Sequence, residues 1–381
     1  MPDDAQAFWV CGPGQGAILP APVEAPTAGE VLVRTLHSGV SRGTETLVFR
    51  GGVPVDQRAV MRAPFQDGEL PGPVKYGYLN VGVVEDGPPD LLGSVVFCLY
   101  PHQTRYVVAA ESVVRVPEGV PAARAVLAGT VETAVNALWD AGPLVGDRVS
   151  VVGAGMVGCC VARLLAGIPG VDVQLVDVDA TRSAVATALG VPFRLPDDAA
   201  TGRDLVVHTS ATSAGLQRAL ELLAPDGAVV ELSWYGDRPV EVSLGGAFHS
   251  SRLGIRASQV GAVAAVRRGS RTTRDRLVLA LDLLEDPAFD AVVTGASPFE
   301  DLPEVMSCLA DGSLSAATWR APGAADATSP SSTTTSPAGM PPSSAASPAS
   351  AAASGRGQPP VTGCSWTRQP SAASASHSCR S

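Results

Sequence analysis

The sequence predicts an α/β chain in which a β-rich domain is followed by a doubly wound parallel sheet. Three observations predict it. Short β-branched runs broken by Gly and Pro fill the chain to about Val120; strands and helices then alternate strictly; and a glycine-rich turn joins the first strand of that alternation to its first helix.

In the first part, EVLVRTLHSGVS, YLNVGVVEDG, SVVFCLY and RYVVAAESVVRVP read as strands bounded by turn residues. Helical spacing takes over in PAARAVLAGTVETAVNALWDAG, which Gly142–Pro143 closes. The alternation follows as DRVSVVGAG, MVGCCVARLLAG, VDVQLVDVD, TRSAVATALG, RDLVVHTS, SAGLQRALELLAPDG and AVVELSWYG. Parallel strands need crossover helices, and strands covered on both faces are continuous apolar runs, as these are. IRASQVG adds a strand, RDRLVLALDLLED a helix, and FDAVVTGASPFEDLPEVMSCLADG a further strand and helix.

A length of 381 residues suits two domains with their own cores. The expected division is 1–120 for the β-rich domain, 121–260 for the dinucleotide-binding domain, and 261–320 for a return segment completing both. From 321 to 381 the chain is built almost wholly of Ala, Ser, Pro, Thr and Gly, with Asp326 the last carboxylate and Val361 the last branched aliphatic. Such a tail buries too little apolar surface to offset chain entropy and is expected to be disordered, either as a native appendage or as out-of-frame coding.

Net charge −10 and a pI near 5.0 argue against a nucleic-acid partner, which requires clustered Lys and Arg. The N-terminus lacks the pattern of a secretory signal, and no apolar run reaches the ~18 residues of a membrane span. The expected location is cytoplasmic, with no membrane partner. Among the seven cysteines (Cys11, Cys98, Cys159, Cys160, Cys308, Cys364 and Cys379) no paired CxxC occurs, so a structural zinc lobe is not expected. Cys98, Cys159, Cys160 and Cys308 read as small buried apolar residues.

Gly153-Ala154-Gly155-Met156-Val157-Gly158 carries the sharpest signal. The first glycine permits a tight turn, the second lets a pyrophosphate approach the backbone, and the third lets helix pack against strand. The phosphates then lie on a helix N-terminus, where unpaired N–H groups favour an anion. At the end of the second strand, Asp177 is placed to accept hydrogen bonds from ribose hydroxyls, which favours NAD over NADP; Arg182, a turn later, is placed to meet a 2′-phosphate. Ser210, Ser233 and Trp234 follow later strands at the same sheet edge and join the cofactor-binding set. Tyr235 lies beside them, and for all of SWYG simple packing explains the residues equally well.

A β-rich domain followed by this Rossmann unit resembles the zinc-type medium-chain dehydrogenase/reductase superfamily, whose first domain is GroES-like; the likeness runs from about Phe8 to Trp319. It rests on GEVLVRTLHSGVSRGTE, KYGYLNVGVVEDG, DLLGSVVFCLY and AVLAGTVETAVNAL. The text SGVSRGTETLVFRG looks most like the bacteriochlorophyllide dehydrogenase-like branch. The resemblance implies a nicotinamide cofactor, a small alcohol or carbonyl substrate, and a catalytic zinc held by Cys, His and a third ligand. At the matching positions stand Ser41, Tyr78 and about Gly129. A hydroxyl and a phenol are poor zinc ligands, so no metal is expected; a rescue site from His102, Glu132 and Glu45 is the alternative. Without zinc, the candidate partners of the substrate oxygen are Thr44, which matches the family's hydroxyl relay position, Tyr78 and His102. Two rival functions stay in view: a zinc alcohol dehydrogenase with substituted ligands, and a dinucleotide-binding sensor or scaffold without turnover. The resemblance leaves homo-oligomerisation open.

Overall fold

The computed structural model describes residues 5–313 and 317–320. The expected tail, 321–381, lies outside the described residues.

A six-stranded, wholly parallel sheet forms the later half. Across it the strands lie in the order Phe193–Arg194, Asp172–Val176, Arg148–Val152, Arg203–His208, Leu223–Glu231 and Gly254–Ala257. The chain therefore starts in the middle, builds outward to one side, then crosses back to build the other. The reversal falls between Arg148–Val152 and Arg203–His208, and a crevice opens outside the carboxyl ends of strands at such a switch. Val149, Val151, Leu175 and Val207 are buried in the sheet under helices Met156–Ala166 and Ala128–Ala141.

Antiparallel sheets form the earlier half. The long strand Glu30–Val40 pairs with Asn80–Asp86 and Arg105–Ala109, and Asn80–Asp86 continues to Val95–Cys98 and then Val114–Arg115. A second, four-stranded sheet holds Gln6–Gly12 and Gln15–Pro20 with two short strands. Near the end of the described chain, Ala317–Arg320 returns to pair antiparallel with the far end of Glu30–Val40.

Several elements differ from the sequence reading. The helical run from Pro121 is interrupted: Ala122–Ala125 and Ala128–Ala141 are separate, and Gly142, left-handed at φ 63°, caps the second. Arg42–Phe49, where the sequence reading placed no helix, is a helix. RYVVAAESVVRVP is two strands split by a 3₁₀ turn at Ala110–Ser112. In FDAVVTGASPFEDLPEVMSCLADG the expected strand is the short Ala296–Pro298, which pairs parallel with Ala317–Arg320, and FDAV itself belongs to a 3₁₀ helix, Pro287–Val292, opened by Asp286 and proline, with Phe289 and Val292 buried. Cys98, Cys159 and Cys160 are buried as expected, whereas Cys308 is only half-buried.

Among the described residues no helix is long and apolar enough to cross a membrane.

Candidate active site

The glycine turn lies at the switch point, and its three glycines are needed for different reasons. Gly153 has φ 111°, and a Cβ there would lie 2.6 Å from Thr209 Oγ1 and 2.8 Å from the Ser210 nitrogen. A Cβ on Gly158 would lie 1.9 Å from the Gly153 carbonyl oxygen, so this glycine sets the helix-to-turn distance. At Gly155 a Cβ meets nothing within 4 Å: the residue faces open space. It is also the N-cap of Met156–Ala166, and no side chain caps that helix end. An open cradle over uncapped N–H groups fits a pyrophosphate.

Asp177 braces this turn. Its carboxylate accepts the Ala154 N–H at 2.6 Å through one oxygen and the Asp179 N–H at 2.9 Å through the other. Each oxygen keeps a further lone pair for a ligand hydroxyl. Arg182 is engaged with Asp179 at 3.4 Å, and Asp179 in turn caps the Thr181 N–H at 3.0 Å.

These residues line one cleft of about 1030 Å³. Of the cofactor-binding set, Gly153, Gly155, Met156, Val157, Gly158, Asp177, Arg182, Ser210, Ser233 and Trp234 all line it, and so do Ser41 and Thr44 at its opposite wall. Five arginines (Arg42, Arg50, Arg182, Arg218 and Arg238) face it against three aspartates (Asp177, Asp179 and Asp237), an excess of positive charge that suits a dianionic group. Arg42 and Arg50 escaped the sequence reading, which placed no helix at Arg42–Phe49 and so nothing to mark which way they turn.

The three candidate catalytic residues are placed unequally. Thr44, on helix Arg42–Phe49, lines the cleft. Tyr78 is half-buried and is not among the lining residues; its ring meets Tyr76 edge-on at 6.1 Å. Burial and the Glu45 carboxylate push its hydroxyl well above the ordinary phenol range, against the pull of side-chain hydrogen bonds to Ser41 and Thr44, so it is a neutral phenol. His102 is fully buried and does not reach the cleft. Its Nε2 lies 2.6 Å from a Glu45 oxygen and its Nδ1 2.7 Å from Ser38 Oγ, while the other Glu45 oxygen accepts the Ser41 N–H at 2.8 Å. A direct proton exchange between His102 and a ligand in the cleft is therefore not what this geometry offers; the imidazole holds the carboxylate that holds the Ser41 turn.

The metal positions do not fit zinc. Ser41 and Tyr78 supply a hydroxyl and a neutral phenol, and at Gly129 a Cβ would already lie 2.6 Å from Leu79 Cδ2 within an apolar wall. The rescue set of His102, Glu132 and Glu45 is not assembled either: Glu132 is buried in an ion pair with Arg276, at 2.9 Å. No group of three or more His, Cys, Asp or Glu side chains able to share a cation occurs among the described residues.

A pair that the sequence reading missed, a buried histidine and a half-buried glutamate, lies where two central strands end. His208 and Glu231 face each other across adjacent strands, and His208 Nδ1 is 2.7 Å from the Glu231 carboxylate.

No family model and no curated protein matches the chain. Solved structures do share its fold. An L-idonate 5-dehydrogenase from Escherichia coli K-12 superposes with a TM-score of 0.68 at 15% identity, over 84% of this chain and 99% of the other. A short chain alcohol dehydrogenase from E. coli CFT073, solved with NADH, gives 0.65 at 18% identity over 83% and 99%. A putative zinc-binding dehydrogenase from Sinorhizobium meliloti, bound to NADP, gives 0.67 at 15% over 84% and 99%. The chain thus has the two-part fold of these dehydrogenases, a Rossmann sheet joined to a GroES-like β domain.

Proposed function

We propose that the protein is an NAD(P)-dependent oxidoreductase that moves a hydride between a nicotinamide dinucleotide and a small alcohol or carbonyl compound, with no metal ion at the reacting oxygen. The observation that carries this reading is the continuity of one cleft from the glycine cradle to the hydroxyls of Ser41 and Thr44. A nicotinamide bound there supplies or accepts the hydride. The protein's own part is to orient the reactants, exclude water and meet the charge that develops on the substrate oxygen.

Thr44 is the group placed to hydrogen-bond that oxygen. Tyr78, a neutral phenol whose shift is opposed by Ser41 and Thr44, stands near both hydroxyls, and the Glu45–His102–Ser38 chain holds the turn that carries them. Neutral donors serve an oxyanion without charge of their own, provided they are fixed in advance. Thr44→Val is expected to lower kcat about a hundredfold while leaving NADH affinity within about twofold, the range found when one preorganised donor is removed. Tyr78→Phe should cost less, because the phenol acts through its neighbours. Steady-state kinetics with a carbonyl panel reads both, and an unchanged kcat in Thr44→Val removes that residue from the reaction.

NAD is the preferred cofactor in this reading, because the Asp177 carboxylate repels a 2′-phosphate and accepts ribose hydroxyls. Asp177→Ala should weaken NADH about tenfold, which corresponds to about 1.4 kcal/mol, and weaken NADPH less. A wild-type chain that binds NADPH more tightly than NADH contradicts the assignment.

A further inference from the structure

The polar cluster at the carboxyl ends of Arg203–His208 and Leu223–Glu231 is not used by the chemistry above, yet it borders the cleft. His208 is fully buried. Its Nδ1 faces Glu231 Oε2 at 2.7 Å and its Nε2 faces Ser210 Oγ at 2.7 Å. The other Glu231 oxygen accepts the Ser233 N–H at 2.7 Å, and Tyr235 donates its hydroxyl to Oε2 at 3.0 Å. Ser233 Oγ then accepts the N–H of Ala211 at 3.1 Å. Ala211, a non-glycine residue with φ 54°, is held in a conformation that costs energy and persists only where its surroundings impose it.

These bonds close a ring: Glu231 to His208, His208 to Ser210, Ser210 through the chain to Ala211, Ala211 to Ser233, and Ser233 back to Glu231. It joins the loop 209–212 to the loop 233–235, and Ser210, Ala211, Ser233 and Trp234 all line the cleft. The proton positions follow from the partners. A carboxylate only accepts, so Nδ1 carries a proton toward Glu231, and in the neutral imidazole Nε2 is left as an acceptor. Ser210 then donates to Nε2, and its lone pairs serve Thr212, 3.0 Å away, and the cleft.

We propose that His208 is a positioning residue of the dinucleotide site: held by Glu231, it fixes the Ser210 hydroxyl as an acceptor for a ribose hydroxyl of the bound cofactor and locks the two loops that flank the crevice. The proposal rests on the dinucleotide reading above. It treats His208 and Ser210 as one unit, which a plain packing role for the imidazole does not require.

The test is calorimetric titration of NADH into the full chain. Ser210→Ala and His208→Leu are each expected to weaken NADH about tenfold, and the double variant no more than the weaker single one, because residues acting as a unit are not additive. His208→Gln, whose side-chain oxygen can still accept from Ser210, should recover affinity to within about threefold of wild type, a rescue that hydrogen bonding explains. Gly215→Ala provides a second route that keeps both side chains: its methyl would lie 2.1 Å from Ser210 Oγ and 2.8 Å from His208 Nε2, so it should break the contact between them and reproduce the Ser210→Ala loss even if His208→Leu does not fold. Wild-type affinity in Ser210→Ala, or losses that multiply in the double variant, would overturn the proposal while leaving the dinucleotide reading intact. A wild-type chain that binds neither NADH nor NADPH overturns both.

Discussion

A Gly155→Val chain is expected to fold like the wild type and to bind neither NADH nor NADPH. At φ −78° and ψ −178° the Gly155 backbone is one that any residue adopts, and a Cβ built there meets nothing within 4 Å. The branched side chain therefore costs the fold little. It would project into the cradle above the uncapped N–H groups of Met156–Ala166, where a pyrophosphate has to approach the backbone. Circular dichroism and a thermal scan should match wild type while the calorimetric signal disappears. Gly158→Ala makes the opposite control, because its methyl would sit 1.9 Å from the Gly153 carbonyl and must move the turn or the helix. If Gly155→Val binds NADH with wild-type affinity, the glycine turn is not the phosphate site.

Arg276→Ala should cost stability rather than affinity, about 3–5 kcal/mol, the range for removing one partner of a buried ion pair. Arg276 is 2% exposed; it bonds Glu132 at 2.9 Å, the Asn136 side chain at 2.5 Å, and the carbonyls of Val260 and Ala262 at 2.6 and 3.2 Å. Its loss strands a carboxylate that burial already pushes above the ordinary range despite the guanidinium beside it. It also frees helix Thr273–Leu283 from helix Ala128–Ala141, on which it packs in the core that includes Val131, Leu277 and Leu281. Urea unfolding of the full chain reads the effect, and a loss below about 1 kcal/mol would show that the pair contributes little beyond its own desolvation.

What the sequence showed and what it hid follow from the range of the interactions. The parallel strands were legible because each is a short apolar run covered on both faces, and the glycine turn because its spacing is local. Asp177 was legible as the acid ending the second strand, though not its bond to the Ala154 N–H, which depends on how the turn closes. Helix Arg42–Phe49 was hidden because Gly43 and two threonines weaken its helical signal, while burial of Val48 and Phe49 against the core holds it in place. The paired groups were hidden more deeply. Glu45 and His102 stand 57 positions apart, Glu132 and Arg276 144 apart, and His208 meets Glu231 only because two neighbouring strands are in register. No periodicity in the chain encodes such meetings. The same long-range pairing explains why His102 and Glu132, which resembled spare metal ligands on paper, are each committed to a partner elsewhere.

The central claim is most directly tested by titrating NADH into the full chain after dialysis against a strong chelator, followed by mixing the complex with a panel of small aldehydes and ketones. The account predicts saturable binding of one NADH per chain without added metal, and oxidation of the bound NADH by at least one carbonyl compound at a rate that zinc does not raise. Binding or oxidation that appears only when zinc is restored would contradict it.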